Sequence, residues 1–282
     1  MWRRRKALIV FMRYPEPGKV KTRLARELGD RDAASVYEKL ARRTLGVVSD
    51  FRRSMPDVEV LLFYSPEDRE KEMAVPFPGP WELVPQHGEH LGQRMDLAVR
   101  HALSQGYGSV VLIGTDISDI AAADLERAFE IVGRGEAALG PAADGGFYLI
   151  GLDRPCSAPF RPELWRTGDI CRRTASLIAE AGLGVRYVER RRDIDRPEDV
   201  RMLEETGLFR ERLSVVVPTL SPVERLEPWL HALRAQLWPG DEIVVVIPNR
   251  GGMAPDGMAA DEEGTRDMGA GDGGAGTSML LT

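Results

Sequence analysis

Residues 7–24 read Ala7-Leu8-Ile9-Val10-Phe11-Met12-Arg13-Tyr14-Pro15-Glu16-Pro17-Gly18-Lys19-Val20-Lys21-Thr22-Arg23-Leu24. The apolar run Ala7–Phe11, bounded by charge, predicts a buried strand. Prolines and a glycine then make a turn, and helical spacing begins beyond it. Between Arg13 and Arg26 stand five basic residues (Arg13, Lys19, Lys21, Arg23, Arg26) against one acid, Glu16, in a chain of formal charge -6. A strand, turn and helix start offer free backbone N–H groups and a positive dipole end. Two lysines and an arginine add charge-assisted donors, which suits a di- or triphosphate. A surface loop with solvated lysines is the alternative that spacing alone leaves open.

Downstream, strand and helix signals alternate. Asp32 to Phe51 carries Val36, Leu40, Val47, Val48 and Phe51 on one helical face, with Arg42, Arg43, Arg52 and Arg53 on the wet face. Val58–Tyr64 reads as a strand broken by Ser65-Pro66, and Trp81–Val84 as a short one. Leu91–Leu103 is helical, with Gly106 and Gly108 as stop signals. Ser109–Asp116 is an apolar strand ending on an acid, and a helix over Asp124–Val132 follows. Ala137–Gly140 and Phe147–Leu152 flank an Asp144-Gly145-Gly146 turn, and Asp169–Ala181 is the next helix. After a strand at Gly184–Val188, Pro197 opens a helix that runs to Gly207. Such alternation predicts an α/β fold, a mainly parallel sheet with helices on both faces.

Net acidity argues against a nucleic-acid or membrane-surface partner, whose affinity would come from widespread basic charge. No apolar run is long enough to span a bilayer. The basic start Trp2–Lys6 precedes an apolar run too short for a signal peptide, so the chain reads as cytosolic. Cys156 and Cys171 are too few and too isolated for a disulfide framework or a zinc site.

In an open α/β sheet, ligands sit outside the carboxyl ends of the strands. Asp116 takes such a position, where a carboxylate holds Mg²⁺ or Mn²⁺ or, alternatively, caps a turn. Asp193 and Asp195 alternate in an extended stretch and share a face, so either can supply a second ligand or cap the helix at Pro197. Asp144 faces a substrate hydroxyl or makes an ordinary Asp-Gly turn. Gly88 and Arg94, where a loop becomes a helix, contact a base or ribose or form a tight turn with a solvated arginine.

Taken in order, five blocks resemble the glycosyltransferase A (GT-A) superfold, and within it a bacterial family named for arsenosugar biosynthesis. They are residues 15–25, Leu91-Gly92-Gln93-Arg94-Met95, Gly114-Thr115-Asp116, residues 140–152 and residues 193–199. The layout is similar to small nucleotidyltransferases of the phospholactate guanylyltransferase and molybdenum-cofactor type. The resemblance implies a nucleotide-diphospho-sugar transferase acting on a small-molecule acceptor. It implies nucleotide phosphates at Lys19, Lys21 and Arg23, and base or ribose contacts near Gly88 and Arg94. A divalent metal is implied at Asp116, with Asp195 as second ligand by analogy to the nucleotidyltransferases. Asp144 is the candidate base for the acceptor hydroxyl. In the family a proline usually stands where this chain has Ser118, and a threonine where it has Arg196. A nucleotidyltransferase using a nucleoside triphosphate and a phosphorylated small molecule is the second reading, and a non-catalytic nucleotide-binding remnant the third.

Residues 1–210 form the transferase domain on this reading. From residue 211 to 247 the chain restarts as strand, helix and strand, resembling the truncated opening of a family-two glycosyltransferase. That fragment has no complete sheet of its own and must dock on the first domain, self-associate or stay labile. Residues 248–282 hold nine glycines and no aromatic residue, and read as a disordered tail.

Overall fold

The computed structural model describes residues 5–161, 168–205, 214–219, 223–234, 242–247, 265–267 and 277–281. The chain divides into two compact units, Met1–Met202 and Leu203–Thr282.

The first unit begins with β1 (Arg5–Arg13), a short helix α1 (Thr22–Leu28) and the long helix α2 (Asp30–Ser54). There follow β2 (Val58–Ser65), a single helical turn α3 (Glu70–Met73), β3 (Glu82–Pro85), α4 (Leu91–Ser104) and β4 (Tyr107–Ile113). Then come α5 (Ala122–Gly133), β5 (Ala137–Pro141), β6 (Phe147–Leu152), α6 (Ile170–Glu180), β7 (Val185–Tyr187) and α7 (Pro197–Glu205). The seven strands form one sheet in the order β3-β2-β1-β4-β6-β5-β7. β6 runs antiparallel to β4 and β5, and the remaining pairings are parallel. The predicted mainly parallel sheet is therefore what the chain adopts.

β1 shows why helices cover both faces. Successive strand side chains point to opposite sides, and in β1 both sets are apolar and buried. Leu8, Val10 and Met12 pack into the core formed with Tyr37, Leu45 and Phe51 of α2 and Leu125 and Phe129 of α5. Ala7, Ile9 and Phe11 pack into the core with Met95 and Val99 of α4 and Ile178 of α6. Each fully buried Leu or Ile side chain contributes roughly 1.5–3 kcal/mol, so the strand is anchored from two directions. α2 starts on Asp30 and Asp32 and ends on Arg52 and Arg53, charges that complement its dipole at both ends. Its buried stripe lies slightly off the predicted one: Tyr37 and Leu45 are buried, whereas Val36 and Val47 are half-buried.

β1 sits where the chain order reverses. The sheet grows from β1 through β2 to β3, and then returns to the other side of β1 with β4. The carboxyl ends of β1 and β4 diverge there, and ligands of open α/β sheets bind at such a point.

In the second unit, β8 (Ser214–Pro218), α8 (Val223–Arg234) and β9 (Glu242–Ile247) form the predicted strand, helix and strand, with β8 and β9 parallel. Leu230, Ile243 and Val245 make its small buried core. Of the stretch read as a disordered tail, residues 248–264, 268–276 and 282 lie outside the described residues. The described parts are two strands, β10 (Thr265–Asp267) and β11 (Thr277–Leu281), with β11 antiparallel to β9. Thr277–Leu281 opens on a threonine and ends in the apolar run Met279-Leu280-Leu281.

Candidate functional site

The turn after β1 closes on itself before it reaches α1. Glu16 N–H donates to the Tyr14 carbonyl, and Lys19 N–H to the Glu16 carbonyl. Gly18 takes φ +78°, the conformation that favours glycine. Lys21 does the same without being glycine: at φ 47° and ψ 44° it is left-handed, the one positive-φ residue other than glycine among the described residues. A non-glycine residue held there costs free energy and persists where its surroundings over-determine it.

Those surroundings are ionic. Lys21 Nζ lies 2.6 Å from Asp116 Oδ1 and 3.8 Å from Asp195 Oδ1. It also donates a 2.6 Å hydrogen bond to the Ile194 carbonyl. Its side chain is only 5% exposed, while that of Asp116 is 54% exposed. Arg23 Nη1 donates to Asp195 Oδ2. Lys21, Arg23, Asp116 and Asp195, taken from three separate stretches of the chain, thus meet in one cluster that opens to solvent through Asp116.

Asp116 lies three residues beyond the end of β4, not at the strand end as predicted. Gly114 N–H turns to the Tyr148 carbonyl, releasing the chain from the β1 ladder. The loop beyond is held at several points. Ile194 N–H donates to the Asp116 carbonyl, and Ile117 bridges Asp193. Ser118, where the resembled family has proline, is buried, and its carbonyl accepts from Arg43 Nε.

Tyr37 of α2 joins the two diverging strand ends. Its hydroxyl accepts from Arg13 N–H at 2.7 Å and shares a 3.2 Å hydrogen bond with Thr115 Oγ1. Burial, reinforced by the negative charge of Asp116, pushes the phenol up to about 12. It is a neutral strut beside a charged cluster.

The segment carrying Asp195 has its own brace. Arg191 makes a two-armed pair with Asp124 at 2.9 and 3.0 Å, and the Asp124 carboxylate is 4% exposed. Asp124 also accepts from Ala121 N–H at the start of α5. Arg192 Nη2 pairs with Asp199 Oδ1 at 2.7 Å. Asp199 Oδ2 reaches back to Asp195 N–H and Arg196 N–H at the start of α7. Burial pushes the Asp199 carboxyl up, but these N–H groups and Arg192 outweigh it and hold it below the usual carboxylate value.

The other predicted residues stand as follows. Lys19 is exposed on the turn. Asp144 is exposed, with Oδ1 accepting from Gly146 N–H at 2.7 Å, so the expected Asp-Gly turn is formed. A Cβ on Gly145, at φ +90°, would lie 2.6 Å from the Gly168 carbonyl, which fixes glycine there. The Asp193 carboxyl, two residues before Asp195, is pushed up by burial and then by the negative charges of Asp144 and Asp195. Gly88 and Arg94 form a pair of their own: Arg94 Nε donates to the Gly88 carbonyl at 2.9 Å, and Gly88 takes φ +126°. Their loop is tied over the end of β1 by Gln86, whose side-chain amide donates to the Met12 and Phe63 carbonyls. Of two surface clefts, one of about 360 Å³ is lined by Arg52 and Trp81 and one of about 450 Å³ by Arg127, Tyr187 and the Asp124–Arg191 pair; Lys21, Arg23, Asp116 and Asp195 line neither.

Arg191, Asp124, Asp199, Tyr37 and Arg43 have no part in the sequence-based site. One sequence signal pointed toward Arg191: it alternates with Asp193 and Asp195 in the same extended run.

Comparison with known proteins agrees with this geometry at the level of fold. A family described as "Uncharacterized protein conserved in bacteria (DUF2064)" matches residues 51–167, a span that includes Asp116 and Asp144. No curated protein matches the chain. A crystal structure from Desulfovibrio desulfuricans G20, described as a candidate nucleotide-diphospho-sugar transferase, is 29% identical with a TM-score of 0.66. That similarity covers 83% of this chain and 98% of the other. The fold is thus of the nucleotide-diphospho-sugar transferase type. Two structures are more distant. A 4-diphosphocytidyl-2C-methyl-D-erythritol synthase from Anaerococcus prevotii DSM 20548 is 11% identical at TM-score 0.47, covering 71% of this chain and 98% of its own. A manganese complex of Rv0371c from Mycobacterium tuberculosis H37Rv is 18% identical at TM-score 0.43, covering 72% and 99%. Among the described residues no helix is long and apolar enough to cross a membrane.

Proposed function

We propose that this protein transfers a sugar from a nucleotide-diphosphate sugar to a small acceptor, with a divalent cation held at Asp116 and Asp195. The observation that carries this reading is the convergence of two carboxylates and two cationic side chains where the carboxyl ends of β1 and β4 part. The 29% identical candidate nucleotide-diphospho-sugar transferase supports it.

The donor set fits such a cation. Asp116 and Asp195 both face one positive charge, the Lys21 ammonium, at 2.6 and 3.8 Å. Among the described residues no three His, Cys, Asp or Glu side chains group as metal ligands. One or two carboxylates, completed by water and substrate phosphates, is the usual set for Mg²⁺. Such an ion supplies Lewis-acid neutralisation of the charge that develops on a leaving diphosphate.

The chain's own residues do the rest. Arg23, exposed and planar, offers paired donors to phosphate oxygens next to Asp195. Lys19 adds an exposed positive charge on the turn. Arg94 and Gly88 shape the loop after β3 that receives the base or ribose. Asp144 is presented to solvent with one oxygen fixed by Gly146 N–H, leaving the other to accept the acceptor's proton.

A second reading, nucleotidyl transfer from a nucleoside triphosphate, is favoured by the second carboxylate, Asp195. There the same cations would balance attack at the α-phosphate and departure of pyrophosphate. Incubation with UDP-, GDP- and ADP-sugars plus Mn²⁺ tests the first reading by release of nucleoside diphosphate. Pyrophosphate release from nucleoside triphosphates with a phosphorylated acceptor would favour the second. Neither product with any donor overturns both.

A further inference from the structure

We infer that Lys21 is the built-in counter-ion of the Asp116–Asp195 pair, occupying with its own ammonium the position a divalent cation must take. This rests on the metal and diphosphate reading above and adds to it a competition inside the site. Lysine in a phosphate-binding turn ordinarily points its charge outward. Here Nζ is turned inward onto Asp116 Oδ1, the Ile194 carbonyl and Asp195 Oδ1, at 2.6, 2.6 and 3.8 Å. The backbone accepts a left-handed conformation at a non-glycine residue to put it there.

An ammonium has three donors and no acceptor; Asp116 Oδ1 and the Ile194 carbonyl take two of them, and Asp195 Oδ1 stands at ion-pair distance. A cation that takes both carboxylates has to displace the ammonium, because like charges cannot share one oxygen pair at these distances. Once displaced, the buried lysine needs a new anion, since an unpaired charge there is costly. A diphosphate arriving with the cation supplies that partner. Lys21 therefore weakens binding of the metal by itself and strengthens binding of the metal together with diphosphate. The device keeps the carboxylates paired until both ligands are present. The positive φ belongs to the same device, because it aims the side chain back across the cluster instead of along α1.

Titration of the full chain with Mn²⁺ alone, followed by the electron paramagnetic resonance of free Mn²⁺, tests this without reference to turnover. Lys21→Met removes the charge and keeps much of the side-chain bulk. Lys21→Asn also removes it and suits a left-handed backbone. Circular dichroism checks that each is folded. Both variants are expected to bind Mn²⁺ on the order of tenfold more tightly than the unaltered chain, a typical coupling size. Both should also lose affinity for a nucleoside diphosphate in the presence of Mn²⁺. Equal or weaker Mn²⁺ binding by the folded variants overturns the competition while leaving the metal site standing. No Mn²⁺ binding by any of the three, with or without the diphosphate, overturns the metal site itself and this inference with it.

Discussion

Two Asp-to-cation contacts in this molecule are close to the same length and do opposite things. Arg191 and Asp124 meet at 2.9 and 3.0 Å in a two-armed pair, with the carboxylate 4% exposed and a backbone N–H completing it. Lys21 and Asp116 meet at 2.6 Å through a single contact, with the carboxylate more than half exposed. The first has its carboxylate oxygens committed to an arginine and a backbone N–H, so it is a brace. The second couples a buried cation to an open anion, and the open side is where a ligand can compete. Planar, bidentate arginine suits the fixed role, and a point-charge lysine suits the exchangeable one. One holds the 189–199 stretch in place so that the other can be used.

That contrast breaks most sharply at the brace. Arg191→Met is expected to leave the Asp124 carboxylate buried without its partner and to cost roughly 3–5 kcal/mol of stability. Asp116→Asn should cost less, about 1–2 kcal/mol, since its own carboxylate is more than half exposed and the buried Lys21 ammonium keeps the Ile194 carbonyl and Asp195. Urea denaturation of the two variants side by side measures both, and equal losses would erase the distinction. Activity should rank them the other way per unit of lost stability. Asp116→Asn is expected to lower turnover on the order of 10²-fold while the protein stays folded, the scale of removing one electrostatic stabiliser.

A smaller effect sharpens the boundary between the two regions. Tyr37→Phe removes the acceptor for Arg13 N–H and the link to Thr115, at a cost of about 1–2 kcal/mol. Because the phenol ties the end of β1 to the segment that follows β4, the variant should also weaken nucleotide binding. A stability loss with unchanged binding would make Tyr37 a core residue only.

The smallest effect is set by pH. Asp199 is held below its ordinary value, so its stabilising effect is present above the unfolded carboxylate range near about pH 4 and is lost as pH falls through the folded value. Asp199→Ala should cost about 1 kcal/mol at pH 7, the scale of a helix cap. The difference from the unaltered chain should shrink toward pH 2. A difference that is constant with pH would mean the carboxylate charge is not what caps α7.

How far the sequence led depends on the distance over which each signal acts. β1, its basic turn and the apolar strand before Asp116 were legible because period and punctuation are local. So was β6, whose predicted bounds, Phe147–Leu152, are those observed. Asp116 was found as a strand-end acid and Asp195 as one of two acids alternating in an extended stretch; that one ammonium joins them depends on Lys21 crossing 173 residues of sequence to Ile194. The inward turn of Lys21 was not legible, because a lysine in a basic loop reads as solvent-facing until its backbone angle is known. Arg191 and Asp124 lie 67 positions apart and each alone looks like a surface charge, so the brace left no local trace. Tyr37 was passed over for Val36, one position away, because a helical stripe read from valines cannot see a hydroxyl that two strand ends require.

The central claim is that Asp116 and its neighbours hold a cation and a diphosphate together. Calorimetric titration of a nucleoside diphosphate, with and without Mn²⁺, into the unaltered chain and Asp116→Asn tests it most directly. Mn²⁺ should strengthen binding to the unaltered chain and leave binding to Asp116→Asn unimproved. Equal strengthening in both proteins would place the cation elsewhere and contradict the account.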